Sequence, residues 1–219
     1  MGIAKRVKEI ALKGTKIRVT CPRGSDLVST YDASKLFAIQ TRPVEPGGRC
    51  HFPWGRCGIF HGAGEANGVV YLDTAQGVDG VFEEPMRWVV EKNIVVECNG
   101  GEIAEHMKKL QRQSQQSIQF CEIMFGYHPH VPQKIGLDDY MHWPFNSKWA
   151  WFGIRVSDGL TGNQSQHLDG PCFWSSIYID DQLVVERGRL AMCDDPEVRA
   201  TAAKYGNPDD LLEHVTHAQ

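Results

Sequence analysis

The chain has 219 residues, of which 42% are hydrophobic and 23% charged, and its net charge is -4 at neutral pH. That is the composition of a globular protein large enough to bury its own core, and the mild acidity excludes a broad nucleic-acid or anionic-membrane surface. Nothing approaches the roughly 18 apolar residues of a spanning helix, and residues 1–15 lack an apolar leader core, so a cytoplasmic protein with no membrane and no nucleic-acid partner is expected.

The elements can be read in chain order. Ile3, Val7, Ile10 and Leu12 among charges predict an amphipathic helix that ends before Gly14. Its basic residues, Lys5, Arg6, Lys8 and Lys13, read as a solvated face. Lys16–Thr20 alternates as a strand, Pro22–Asp26 is a turn, and Leu27–Tyr31 returns as a second strand. Residues 42–68 are rich in Gly and Pro yet hold Cys50, His51, Trp54, Phe60 and His61. Such aromatic content is foreign to disorder, so this stretch reads as an ordered loop that lines something. Val69–Asp73 is a buried strand. Met86–Glu91 and Ile94–Cys98 form a hairpin around Lys92-Asn93. Ile103, Met107 and Leu110 predict a helix over 102–116.

Phe120–Phe125 is a short apolar run around Glu122, followed by Tyr127-His128-Pro129-His130, where Pro keeps the chain out of helix. Trp149–Val156 and Cys172–Ile179 read as strands, and Asp180-Asp181 turns into Leu183–Glu186. Two Pro-started helical stretches follow, Pro196–Tyr205 and Pro208–Val215. Strands dominate and helices are inserted. The expected fold is therefore α+β, a strand-rich mixed sheet or partly closed barrel. One domain spans 1–219, with a lead-in helix over 1–15 and a helical tail over 191–219.

The chemistry concentrates in Asn163–Gly170. In an extended segment, His167 and Asp169 point to one side, and one further histidine would complete a facial triad for a divalent metal. His128 and His130 flank Pro129 on a stiff loop and are candidates for that histidine. Glu122, an acid among apolar neighbours, needs a partner. His61 is a candidate acid–base group. Trp54 and Tyr127 are candidate walls of a substrate pocket. The Gly-rich run around His61 lacks the Lys-Ser/Thr ending of a phosphate loop. Cys57 has no neighbouring base to activate it. The seven cysteines are scattered with no Cys-x-x-Cys pair, which fits reduced thiols rather than a disulfide framework or a zinc knuckle.

Several segments, in order, resemble one family. They are Gly14–Thr20 with Gly24–Leu27, Phe52–Gly55 running on to Glu65–Val70, Cys121–Gly126, and Gly162–Asp169 leading into Asp180–Val184. The chain resembles the C-terminal domain of the aminopeptidase T-like (leucyl aminopeptidase) metallopeptidases. It resembles more closely their non-peptidase relative, 2,5-dihydroxypyridine 5,6-dioxygenase. In the peptidases, the resemblance implies a two-metal cluster containing two glutamates, histidines and the His-x-Asp pair. Glu122, His167 and Asp169 match three of these positions, whereas Arg56 stands where another family glutamate would be. The dioxygenase pattern implies a single Fe(II) held by His167, Asp169 and His128, with His130 as the rival ligand and His61, His130 and Glu122 as the catalytic set. The family also carries an N-terminal domain, and this chain begins at the connecting helix.

Three readings follow from these features. The first is a mononuclear non-haem Fe(II) dioxygenase that cleaves a hydroxylated aromatic or N-heteroaromatic ring with O2. The second is a hydrolase or aminopeptidase-like enzyme using Zn2+ or Mn2+. The third is a non-catalytic assembly subunit. A homo-oligomer is expected, and in the third reading the subunit pairs with a separate partner that carries the N-terminal domain.

Overall fold

The structure, a computed structural model, describes residues 2–37, 56–60, 64–75, 81–114, 117–130, 149–157 and 164–214. Helix α1 (Gly2–Lys13) leads into β1 (Lys16–Thr20), β2 (Asp26–Thr30) and the short β3 (Leu36–Phe37). β4 (Arg56–Phe60), β5 (Ala66–Leu72), β6 (Met86–Glu91) and β7 (Ile94–Asn99) precede helix α2 (Gly101–Ser114). β8 (Ser117–Gly126), β9 (Ala150–Ser157), β10 (Gln164–Cys172), β11 (Ser176–Ile179), β12 (Gln182–Glu186) and β13 (Arg189–Leu190) follow, then α3 (Pro196–Ala202) and α4 (Pro208–Leu211).

Among the described residues, thirteen strands form one sheet in the order β10-β9-β8-β7-β6-β5-β2-β1-β11-β12-β13. β8 is shared on one edge. β7 meets it only at Ile94↔Gln119, and β4 takes over from Phe60↔Glu122 to Arg56↔Gly126, with β3 beyond it. Every pairing among the described residues is antiparallel and the sheet curls into a half-barrel, which agrees with the expected α+β class and partly closed barrel and corrects the mixed-sheet alternative. β1–β2, β6–β7, β11–β12 and β12–β13 are joined as hairpins, which permit antiparallel neighbours without crossovers.

The curl brings the β10 end back to β5. Asp73 donates its N–H to Pro171 O at 3.1 Å, and its buried carboxylate accepts the Phe173 N–H at 2.7 Å and forms an ion pair with Arg23, Nε to Oδ1 2.6 Å. Burial pushes the Asp73 carboxyl up, and the contacts with Phe173 and Arg23 oppose that. At the crossing, a Cβ on Gly170 would sit 2.5 Å from Thr74 O, so only glycine permits the approach.

The expected strand Cys172–Ile179 is broken into β10 and β11 by a corner. Trp174 there adopts φ 56°, and the Ser175 hydroxyl accepts the Ala150 N–H at 2.7 Å. β10 lies at one end of the sheet and β11 beside β1, so the chain must turn between them. The stretch read as a loop over 42–68 also contains β4 and the start of β5. Residues 38–55, including Trp54, lie outside the described residues, as does His61.

The core lies on one sheet face and includes Leu27, Val70, Trp88, Phe120, Phe152 and Ile177. α1 covers part of it with Val7, Ile10 and Ala11, and α2 adds Ala104 and Met107. Asp195 joins α1 to α3. One carboxylate oxygen caps α3 at the Glu197 and Val198 N–H groups, and the other accepts Arg6 Nε at 3.0 Å. Among the described residues, no helix is long and apolar enough to cross a membrane.

The tight turns follow their sequences. Lys92-Asn93 and Asp180-Asp181 both have two residues at positive φ, the geometry that matches strand twist in a two-residue hairpin. Asn93 does more than turn the chain. Its side chain accepts the Ala66 N–H at 2.7 Å and donates to Gly64 O at 2.9 Å, and its carbonyl accepts the Phe120 N–H at 2.9 Å. Asn93→Ala removes both side-chain bonds and leaves alanine at positive φ. It is expected to lower stability by about 2–3 kcal/mol, read as a fall in the denaturant midpoint. A change under about 0.5 kcal/mol would show that the hub does not tie β5 to β8.

Candidate metal centre

The site is built on the face of β8, β9 and β10 opposite the core. β9 alternates: Ala150, Phe152 and Ile154 belong to the core, so Trp151, Gly153 and Arg155 face the other way. On β10, Leu168 packs into the core, and His167 and Asp169 share the opposite face. Gly153 pairs with Glu122 on one side and with Asp169 on the other. Residues paired across strands lie on the same face, so the three form a row, Glu122–Gly153–Asp169.

Cys121 is the irregular member. β8 slips register between Phe120↔Ile154 and Glu122↔Gly153, leaving Cys121 as the extra residue of a β-bulge. The core residues change parity across it, from Ile118 and Phe120 to Ile123 and Phe125. Without the bulge, Cys121 and Glu122 would point to opposite faces. With it, both reach the His167 ring.

His167 Nε2 lies 3.0 Å from Asp169 Oδ1 and 3.3 Å from Glu122 Oε1, and Nδ1 lies 3.9 Å from Cys121 Sγ. The Glu122 and Asp169 side chains are 7% and 8% exposed, whereas His167 is 34% exposed, so the imidazole roofs two buried carboxylates and opens to solvent. Among the described residues, Cys121, Glu122 and His167 form the group whose ligand atoms all lie within 4.8 Å of one another.

The centre holds an excess of acid. Contact with Asp169, then Cys121 and Glu122, pushes the His167 imidazole up to about 12. Burial raises the Glu122 carboxyl, and the hydrogen bond with His167 opposes that. Burial likewise raises the Cys121 thiol. The His167 imidazole, pushed up by these contacts, thus supplies positive charge beside two buried acid side chains. A divalent cation bound to the same three side chains would supply that charge in place of the proton, since metal ligands bind deprotonated. The donor set, one imidazole and two carboxylates, suits Fe(II), Mn2+ or Zn2+. Gly153 supplies the space: a Cβ there would lie 2.7 Å from Asp169 Oδ1 and 2.9 Å from Glu122 Oε1. The residues therefore fit a metal. Cys121 Sγ meets the second ring nitrogen of His167, where an orienting partner belongs.

The other expected site residues are placed differently. His128 follows β8 on the Tyr127–His130 loop, and its ring stands 5.9 Å from that of His130. It is not in the 4.8 Å group. His130 Nε2 is 3.0 Å from Asp210 O, and its backbone N–H donates to His128 Nδ1 at 3.3 Å. Tyr127 is buried in the core cluster, where burial raises its hydroxyl pKa. Sequence reasoning did not pick out Cys121, Trp151, Gly153 or Arg155. The alternation of β9 carried a signal for its three residues. The bulge left none.

No protein-family model matches the chain, and no curated protein sequence matches it. Solved structures do. 2,5-Dihydroxypyridine dioxygenase from Pseudomonas putida KT2440 superposes with a TM-score of 0.66 at 19% identity, covering 90% of this chain and 60% of that one. Wild-type AmpT, an aminopeptidase T from Thermus thermophilus, gives 0.54 at 15% identity, covering 85% and 52%. Both neighbours are enzymes, and the likeness at this identity is one of fold. The chain spans about 60% of the first neighbour's length and about half of the second's.

Gly153→Ala tests the cradle. It is expected to weaken divalent-metal binding by roughly tenfold or more in calorimetric titration, with the β-sheet circular dichroism retained. Unchanged affinity in a folded variant would place the metal elsewhere.

Proposed function

We propose that the protein is a mononuclear metalloenzyme of the dioxygenase type, cleaving a hydroxylated aromatic or N-heteroaromatic ring with O2. The observation that carries this reading is the Glu122–Gly153–Asp169 row closed by His167, which offers one ion's set of donors. Among the described residues, Cys121, Glu122 and His167 are the one group of three or more His, Cys, Asp or Glu side chains with ligand atoms within 4.8 Å of one another, and Asp169 adjoins it at 3.0 Å from His167 Nε2. Arg56 at the start of β4, where a two-metal relative carries a glutamate, supports a single ion.

His167 Nε2, Asp169 and Glu122 are the proposed ligands, and Cys121 orients His167 through Nδ1. Fe(II) held there would supply open positions for the substrate oxygen and O2. The protein's own part is positioning and proton handling. Glu122 and Asp169 lie deep and His167 faces solvent, so substrate approaches from the His167 side. Trp151, one row along from Gly153 and opposite Met124 and Pro171, is buried and backs the site with an apolar ring. Arg155, directly opposite His167 on β9, places a cation beside the bound oxygen substituent. It would favour the ionised hydroxyl, which is the electron-rich form that ring cleavage requires. His128 and His130 remain proposed contributors, as do His61 and Trp54, which lie outside the described residues.

A second reading is a hydrolase using one Zn2+ or Mn2+. Two carboxylates to one imidazole favour it, because such a set also holds an ion that activates water.

The test is metal content and oxygen uptake on anaerobically purified protein. About one iron per chain is expected, lost in Asp169→Ala, with oxygen consumed on addition of dihydroxylated rings. Zinc or manganese at the same site, with no oxygen uptake and with peptide or ester cleavage, would replace this reading with the second. Metal retained in a folded Asp169→Ala or His167→Ala variant would overturn both.

A further inference from the structure

The face of β8, β9 and β10 that carries the metal centre is built from cross-strand rows of different chemistry. Met124–Trp151–Pro171 is apolar, and Glu122–Gly153–Asp169 is acidic. Gln119–Arg155–His167 has a guanidinium at its middle position. The acidic row lies between the other two. The face thus runs from apolar, through the metal row, to cationic.

Arg155 is half-buried, and its Nε is buried without a hydrogen-bond partner among the described residues. Its neighbours in the row do not neutralise it. Gln119 is uncharged, and its amide nitrogen donates to Ser117 Oγ at 3.4 Å. Among the described residues, Glu122 and Asp169 in the next row contact His167, and neither makes an ion pair with Arg155. A guanidinium partly removed from water with an unsatisfied buried N–H is costly unless a ligand completes it. Its planar fork matches a carboxylate, which accepts two parallel N–H···O bonds. Arg155 stands directly opposite the proposed ligand His167, so an anion held there lies next to the metal-bound oxygen. The two rows are two residues of β9 apart, roughly 6.5 Å. A metal-bound hydroxyl oxygen and a carboxylate on the adjoining ring carbon together cover that step.

We infer that Arg155 anchors the substrate and selects rings that carry a carboxylate on the carbon next to the metal-bound hydroxyl. This rests on the dioxygenase reading for the hydroxyl and narrows it from hydroxylated rings in general to ortho-hydroxy aromatic carboxylates. Charge supports the assignment. Glu122 and Asp169 already balance a divalent ion, so the charge of a substrate carboxylate is left for Arg155 to balance. The carboxylate accepts from the fork, including the buried Nε–H, and the cation stays beside the hydroxyl that must ionise. A ring without the carboxylate leaves that N–H unpaired and binds more weakly.

The experiment is calorimetric titration of the metal-loaded full chain under argon, where no turnover occurs. The probes share a vicinal diol: 2,3-dihydroxybenzoate has its carboxylate beside a hydroxyl, 3,4-dihydroxybenzoate has it away from both, and catechol has none. 2,3-Dihydroxybenzoate is expected to bind tightest, by roughly tenfold or more. In Arg155→Gln that preference should vanish while metal content stays at the wild-type level. Equal affinities, tighter binding of either other ring, or a preference that survives in Arg155→Gln overturns the inference. Should Arg155→Gln fail to fold, the wild-type order and Arg155→Lys decide the matter, because lysine keeps the charge, loses the fork and should lose most of the preference. Oxygen uptake on the same rings separates this inference from the wider reading. Selective binding with no uptake keeps the carboxylate subsite and removes the dioxygenase. Uptake with no preference among the rings keeps the dioxygenase and removes the subsite.

Discussion

Two carboxylates face one another across three strands because the residue between them has no side chain. Glu122 and Asp169 both pair with Gly153, and any Cβ there would collide with both acids. The rest of the centre depends on that gap. His167 bridges the two acids from two residues along β10, as strand alternation requires. The Cys121 bulge lets one strand supply two neighbouring groups to the same ring. Burial makes the arrangement electrostatically demanding: two carboxylates removed from water need a cation, and the imidazolium or a metal can provide it.

The sheet supplies the rigidity that such a centre needs. β8 carries Glu122 and is held on both edges, by β9 along its length and by β7 and β4 in succession. β10 is the last strand on the path, but Asp73 fastens its far end to β5 through backbone and side-chain hydrogen bonds. These contacts involve buried groups, and their loss would leave polar atoms unsatisfied. They matter more than exposed ion pairs such as Arg18–Asp26, which solvent screens.

Local chemistry was legible in the sequence and long-range closure was not. Alternation located β1, β2, β6, β7 and β9 within a residue or two. Lys92-Asn93 and Asp180-Asp181 announced their hairpins, because Asn and Asp tolerate positive φ. Pro196 and Pro208 marked helix starts, but both helices proved shorter than their periodic stretches. The break at Trp174 was hidden, since Cys172–Ile179 reads as one mostly apolar stretch that only Ser175 and Ser176 interrupt, and the curl of the sheet is what demands a corner there. The extended His167-x-Asp169 pair was visible and its proximity to Glu122 was not, because that depends on the register of β8 and β10 against β9. The Cys121 bulge has no local signature: a strand that buries both faces reads the same with or without an extra residue.

The most direct test of this account is the position of a bound ion. Crystals grown anaerobically with Fe(II), with anomalous difference density measured at the iron edge, would locate it. A single peak over Gly153, roughly 2.0–2.4 Å from His167 Nε2 and from oxygens of Asp169 and Glu122, is the predicted result. A peak between His128 and His130, or none on the β8–β9–β10 face, would contradict it.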